Sequence, residues 1–194
     1  VNKRHEKGLA TRQRILAVAT RLFTDPGYDA TPIEAILGES EVSRGALYHH
    51  FASKEQVFEA VFEAIEQDIA SQSIEASLSY ADPVERLRAG CRFFLRTPLT
   101  DSFRQIALID APSVLGWQKW REIENRYGLG LLKGALSAAI QSRGRKPEAI
   151  EELAHMLLAA MIEGALLVAS AEDKDQARQS AVTAVETLID GIVA

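Results

Sequence analysis

Thr31-Pro32-Ile33-Glu34-Ala35-Ile36-Leu37-Gly38 and Ser43-Arg44-Gly45-Ala46-Leu47-Tyr48-His49-His50-Phe51 read as two short helices parted by four residues, Glu39 to Val42. The first has a capping hydroxyl at Thr31, a proline at its first helical position and a glutamate at its third, a strong helix-start pattern. The second opens at Ser43. Two short helices at this spacing form a helix-turn-helix. Such a recognition helix needs an apolar back and an exposed front. Val42, Ala46 and Leu47 supply the back, with Ile33 and Ile36 behind them, and Arg44, Gly45, Tyr48 and His49 are left for the front.

Outward from this pair the chain stays helical. Ile15, Val18, Ala19, Leu22 and Phe23 form one apolar stripe over residues 9–24, ended by Asp25-Pro26-Gly27. Ser53-Lys54-Glu55-Gln56 is a further capping signature. It opens a longer helix with Val57, Phe58, Val61, Phe62 and Ile65 on one face, shared by both halves of the chain. Asp82-Pro83-Val84-Glu85 starts a helix through about Arg96, stopped by Thr97-Pro98. Further helices are expected over 101–110, broken at Ala111-Pro112, over 117–142, 148–171 and 175–193. Period-two runs of β-branched residues are missing. The fold class is therefore all-α, with a helix-turn-helix domain over residues 1–54 and a helical body over residues 55–194.

Composition sets outer limits. The chain has 194 residues, 47% hydrophobic and 25% charged, which is ordinary globular usage and excludes a disordered chain or a fibre. Its uninterrupted apolar runs are short of the roughly 20 residues of a membrane span, so no membrane association is expected. One cysteine, Cys91, excludes an internal disulfide and suits a reducing cytoplasm. The net charge of −5 is uneven. Lys3, Arg4, Lys7, Arg12, Arg14 and Arg21 face only Glu6 within residues 1–21, and the rest of the chain is acidic. A basic head on an acidic body suits a nucleic-acid binder with a separate second domain, or a solvated basic tail.

The front residues have chemistry for DNA. Arg44 suits bidentate contact with guanine, or else a phosphate. Gly45 lets DNA approach closely. Tyr48 offers an apolar face to thymine methyls and a hydroxyl to phosphate. His49 suits a phosphate, and His50 either a phosphate or packing beside Phe51. Thr31 and Lys54 sit at helix starts, where phosphate is favoured, though capping alone also explains Thr31. Lys3, Arg4 and Lys7 form either a mobile arm along the DNA or a solvated tail. Adjacent histidines point about 100° apart on a helix, so no metal is expected.

The body has no nucleophile elbow, phosphate loop, zinc signature or other cofactor motif, which argues against an enzyme. Its aromatic residues gather as core or as the wall of an apolar ligand cavity. Residues 153–169 are apolar around most of a helix, and Val182, Val185, Leu188, Ile189 and Ile192 extend the pattern. Such helices need burial on nearly all sides, which a second subunit supplies.

On Ile15, Ala19, Phe23, Gly27-Tyr28, Thr31, Ile36, Val42-Ser43-Arg44-Gly45, Leu47-Tyr48-His49-His50-Phe51 and Lys54-Glu55, residues 11–62 resemble the DNA-binding domain of the tetracycline-repressor (TetR) family. Two positions depart from the family pattern: Glu41 stands where a turn glycine is usual, and Leu37 where a small residue is. The resemblance implies a cytoplasmic regulator that contacts operator DNA through Thr31, Ser43, Arg44, Gly45, Tyr48, His49, His50 and Lys54. It implies a homodimer formed by the last two helices and a small-molecule effector pocket in the body. Phe62, Phe94, Phe103, Trp117, Trp120, Tyr127 and His155 are the expected pocket residues. The alternative is a DNA-binding protein with no sensing role.

Overall fold

The computed structural model describes residues 3–194, with side chains from residue 5 onward. The described residues contain helices and turns and no strand. Helix α1 spans Lys3–Thr24, α2 Ile33–Ser40, α3 Arg44–His50, α4 Lys54–Ser77 and α5 Pro83–Phe94. After a 3₁₀ turn at Thr97–Leu99, a π-helical segment Phe103–Asp110 runs into α6, Ala111–Val114. Helix α7, Trp117–Glu124, continues through a π-helical segment Asn125–Leu129 into α8, Gly130–Ser142. Helices α9, Ile150–Ser170, and α10, Lys174–Val193, complete the chain.

One expectation about a break is corrected. Ala111-Pro112 does not end the preceding helix, because Pro112 sits in the first turn of α6, where no N–H is needed. The helix arrives there in π register, with the Ala111 N–H donating to the Ile106 carbonyl. The helix expected over 117–142 is continuous, and its π-helical insertion falls at the glycine-bearing stretch around Gly128 and Gly130.

The chain divides into two compact units. One comprises residues 1–65 and 101–120, the other residues 66–100 and 121–194. This differs from a seam at 54/55. Residues 55–65 pack into the first unit because Val57, Phe58, Val61 and Phe62 are fully buried. Phe58 meets the rings of Phe23 and Tyr28 at 5.3 and 5.0 Å between centroids. Residues 101–120 join that unit through Asp110, whose carboxylate accepts from the Tyr28 N–H at 3.0 Å and from Gln105 Nε2 at 3.0 Å.

In the first unit, Ile15, Ala19, Phe23, Ile36 and Leu47 bring α1, α2 and α3 onto one core. Glu41 adopts the left-handed conformation at φ 52° that ends α2. Holding a non-glycine residue there costs about 1–2 kcal/mol. In the second unit, α5 packs on α8, α8 on α9 and α9 on α10. Asp82 caps α5 by accepting from the Val84 N–H, and Asp173 caps α10 by accepting from the Gln176 N–H. A Cβ on Gly164 of α9 would lie 3.0 Å from Leu95 Cδ2 and 3.6 Å from Ala181 Cβ, so this glycine serves close packing within the unit. Arg88 and Arg92 of α5 pair with Asp190 and Glu186 of α10.

Helix α9 is long and apolar enough to cross a membrane by length and composition, which the short apolar runs of the sequence did not suggest. It has two faces. Ala154, Leu157, Leu158, Met161, Ala165 and Val168 are buried within the unit. Met156, Leu166 and Leu167 are exposed, as is Leu188 of α10.

Candidate functional site

The front of α3 is built by its cap and its back. Ser43 accepts from the Ala46 N–H at 3.2 Å and holds the helix start. Leu47 is fully buried and Val42 nearly so, which turns Ser43, Arg44, Gly45, Tyr48 and His49 outward as one exposed strip. A Cβ on Gly45 would meet nothing within 4 Å, so this point of the surface is open. The Arg44 guanidinium donates to Glu34 Oε1 at 2.8 Å, and both side chains are exposed. That hydrogen bond holds the Glu34 carboxyl below its usual range. His50 is half-buried, with its ring beside those of Phe51 and His49. Burial, then His49 and Arg12, lower its pKa.

Two of the expected DNA residues have internal partners. Thr31 is 1% exposed. Its hydroxyl donates to the carbonyls of Gly27 and Leu22, at 2.7 and 2.9 Å. It neither caps α2, whose start has no side-chain cap, nor faces solvent. Lys54 is half-buried, and its ammonium donates to the carbonyls of Tyr28 and Thr31 at 2.9 and 3.0 Å. Both side chains thus tie the α1–α2 loop. The expected basic arm is also corrected: residues 3–8 are the first turns of α1, with Lys7 exposed on them. The side chains of Lys3 and Arg4 lie outside the described residues.

The second unit contains a cavity of about 310 Å³ between α4, α5, α8 and α9. Glu66, Ile69, Ser73 and Ser77 line it at helical spacing on α4, and Leu87, Cys91 and Phe94 on α5. Leu132 and Ala135 of α8, with Leu158 and Met161 of α9, close it. The wall is mostly apolar, and desolvation pushes the Cys91 thiol up to about 12.

Of the expected pocket residues, Phe94 alone lines this cavity. Phe62, Phe103, Trp117 and Trp120 belong to the other compact unit. Phe62, Phe103 and Trp120 are core residues there, whereas Trp117 is 67% exposed, its ring stacked at a tilt on Trp120. Tyr127 and His155 lie in the second unit away from the lining, and His155 faces Glu151 at 3.7 Å. The sequence reading missed Glu66, although a signal was present. Glu66 falls on the stripe Phe58, Phe62, Ile69 of α4, where a charge is out of place.

A buried-back, open-front recognition helix on a helical chain with an apolar cavity defines a helix-turn-helix DNA-binding regulator. Comparison with known proteins agrees. Residues 15–61 match the model of bacterial regulatory proteins of the tetR family, and residues 84–192 match the tetracyclin repressor-like C-terminal domain. The HTH-type transcriptional regulator AcrR of Shigella flexneri is 32% identical over 107 residues, 55% of this chain and 50% of that protein. The Transposon Tn10 TetC protein of Escherichia coli is 25% identical over 158 residues, 80% of each. The crystal structure of a TetR-family transcriptional regulator from Pectobacterium atrosepticum matches with a TM-score of 0.82. It is 27% identical, and the match covers 96% of each chain. The chain belongs to the TetR family of DNA-binding transcription regulators, whose members are regulators rather than enzymes.

Proposed function

We propose that this protein is a cytoplasmic homodimeric repressor, released from a pseudo-palindromic operator when a small, mostly apolar molecule fills the cavity of the second unit. The observation that carries this reading is the cavity itself: about 310 Å³, largely apolar, on a chain whose other unit presents a recognition helix. Pockets of this size and character suit small ligands. Residues 1–54 carry the DNA-binding role and residues 55–194 the sensing and pairing roles. Ser43, Arg44, Gly45, Tyr48 and His49 make the DNA contacts, with Arg44 reading a guanine.

Dimerisation uses the exposed face of α9 and α10. Met156 and Leu167 are 68% and 57% exposed on an otherwise apolar helix, beside the exposed Leu188. Apolar patches of this kind mark interaction surfaces. A two-fold dimer carries two copies of α3, and a pseudo-palindromic operator has two half-sites about 34–36 Å apart to receive them. Helix α4 couples the two roles. It starts at Lys54 beside the helix-turn-helix, and its far half, from Glu66 to Ser77, lines the cavity. A ligand that displaces α4 changes the spacing of the recognition helices, and reciprocity requires operator DNA to weaken ligand binding by the same factor.

A gel shift with the DNA upstream of the protein's own gene, with and without candidate apolar ligands, tests this reading. Specific retardation that a cavity-bound ligand reverses supports it. Retardation that no cavity-bound ligand changes favours a DNA-binding protein without a sensing role, and no specific retardation overturns the operator assignment.

A further inference from the structure

The apolar cavity contains one acid without a counter-charge. Glu66 is 8% exposed, and it is one of the residues that line the cavity from α4. No hydrogen bond or ion pair to it is found among the described residues, and the influences on its ionisation are burial and the charge of Glu124. Together they push it up to about 8. Glu124 of α7 is also buried and pushed up to about 7 by desolvation, although Arg121 Nη1 lies 3.1 Å from its Oε2. Of these two buried carboxyls, Glu124 has an arginine beside it and Glu66 has none.

The other ionisable groups on the cavity wall do not neutralise it. Arg86 of α5 is exposed, and its Nε donates to the Tyr80 carbonyl at 2.6 Å. The Cys91 thiol stays protonated. The lining positions of α8 and α9 are apolar. Burying an acid without a partner is costly, and a sequence that needed only an apolar wall would place leucine or methionine here. An opposite charge delivered into the cavity would turn this cost into a charge-assisted pair and relieve the repulsion from Glu124.

We propose that the effector is a lipophilic monocation, and that Glu66 receives its positively charged nitrogen while the apolar wall takes its body. This rests on the cavity being the effector site. An anionic ligand finds no positive partner in the cavity and adds an uncompensated negative charge beside two buried carboxyls. A neutral ligand gains at most one ordinary hydrogen bond there.

The test uses the full chain and three probes of equal chain length: octyltrimethylammonium, 1-octanol and octanoate. Calorimetric titration at pH 7, in two buffers of different ionisation enthalpy, gives affinity and proton release together. The cation should bind at least ten-fold more tightly than octanol, with octanoate weakest. Its binding should release close to one proton per site as Glu66 ionises. Glu66→Gln should abolish both the preference and the proton release, with octanol affinity within about two-fold of wild type. Equal affinities for cation and octanol, or a preference that survives Glu66→Gln, overturn the proposal. Ala135→Phe fills the cavity and separates the two levels. Octanol binding that survives it, or no binding of any probe to the wild type, overturns the cavity reading itself. Octanol binding lost in Ala135→Phe without a cation preference overturns only the role of Glu66.

Discussion

The Lys54 ammonium lies 3.9 Å from the centre of the Tyr28 ring while donating a hydrogen bond to the Tyr28 carbonyl. One side chain at the start of α4 thereby binds the loop that leads into α2, through a charge, a ring face and, with the Thr31 carbonyl, two acceptors. The Lys54→Ala variant is therefore expected to lose stability. Charge-assisted hydrogen bonds are worth about 1.5–3 kcal/mol, and a partner carbonyl is left less satisfied. Thermal denaturation followed by circular dichroism should show a Tm lower by several degrees. An unchanged Tm would return Lys54 to a purely DNA-facing role.

Tyr48 is the converse case. It is exposed on the front of α3, and its removal touches no core. Tyr48→Ala should cut operator affinity at least ten-fold while moving stability by less than about 0.5 kcal/mol. Fluorescence anisotropy with labelled operator, beside a melting curve, reads both.

The Arg44–Glu34 pair stands between the free protein and its DNA. Exposed pairs are weak, so Glu34→Gln should release the guanidinium and raise operator affinity by up to about five-fold. Arg44→Ala should cost about 1–3 kcal/mol at one base pair and flatten the preference there. Competition with single-base operator variants distinguishes base reading from phosphate contact, since a phosphate contact weakens every sequence alike.

Pairing of subunits can be separated from folding. Leu157 and Ile189 pack inside the protomer, at 2% and 0% exposure, so a lysine at either should unfold the second unit rather than merely split a dimer. Leu167→Glu with Leu188→Glu places charge on the outer face instead. Sedimentation should show a folded monomer for this double variant and a dimer for the wild type at micromolar concentration.

Buried carboxyls give stability a pH slope. Glu66 and Glu124 ionise in the unfolded chain near the ordinary glutamate pKa of 4.5, but in the folded protein only near 8 and 7. Between these limits the folded state binds more protons than the unfolded one, so raising the pH from 5 to 8 should weaken the fold, by up to a few kcal/mol. Glu66→Gln should remove most of that loss. Urea denaturation of both proteins at pH 5.5 and pH 8 tests it: the variant should gain on the wild type only at the higher pH.

The helix-turn-helix was legible because its signals are local. A cap at Ser43 and an apolar back at Val42 and Leu47 each act over a few residues, and together they leave Arg44, Gly45, Tyr48 and His49 outside. Helical periodicity located the later helices for the same reason. The cavity was not legible from aromatic content. Large rings attract burial wherever a core forms, and Phe62, Phe103 and Trp120 went to the core of one unit while smaller aliphatic residues of the other line the cavity.

What the sequence determined by itself is therefore the all-helical class, the recognition helix and the excess of apolar surface on the last two helices, since these follow from contacts between near neighbours in the chain. The partners of Thr31 and Lys54 were decided only when α1, α2 and α4 met, because their acceptors are backbone carbonyls that any residue could provide. The split of α9 into an inner face at Leu157 and an outer one at Met156 and Leu167 also had to wait for packing, as an apolar stripe carries no label saying which side a neighbour will cover. Glu66 became a candidate ligand group in the same way. A glutamate is only an interruption of a pattern until four helices close around it and remove the water that would otherwise have paid for its charge.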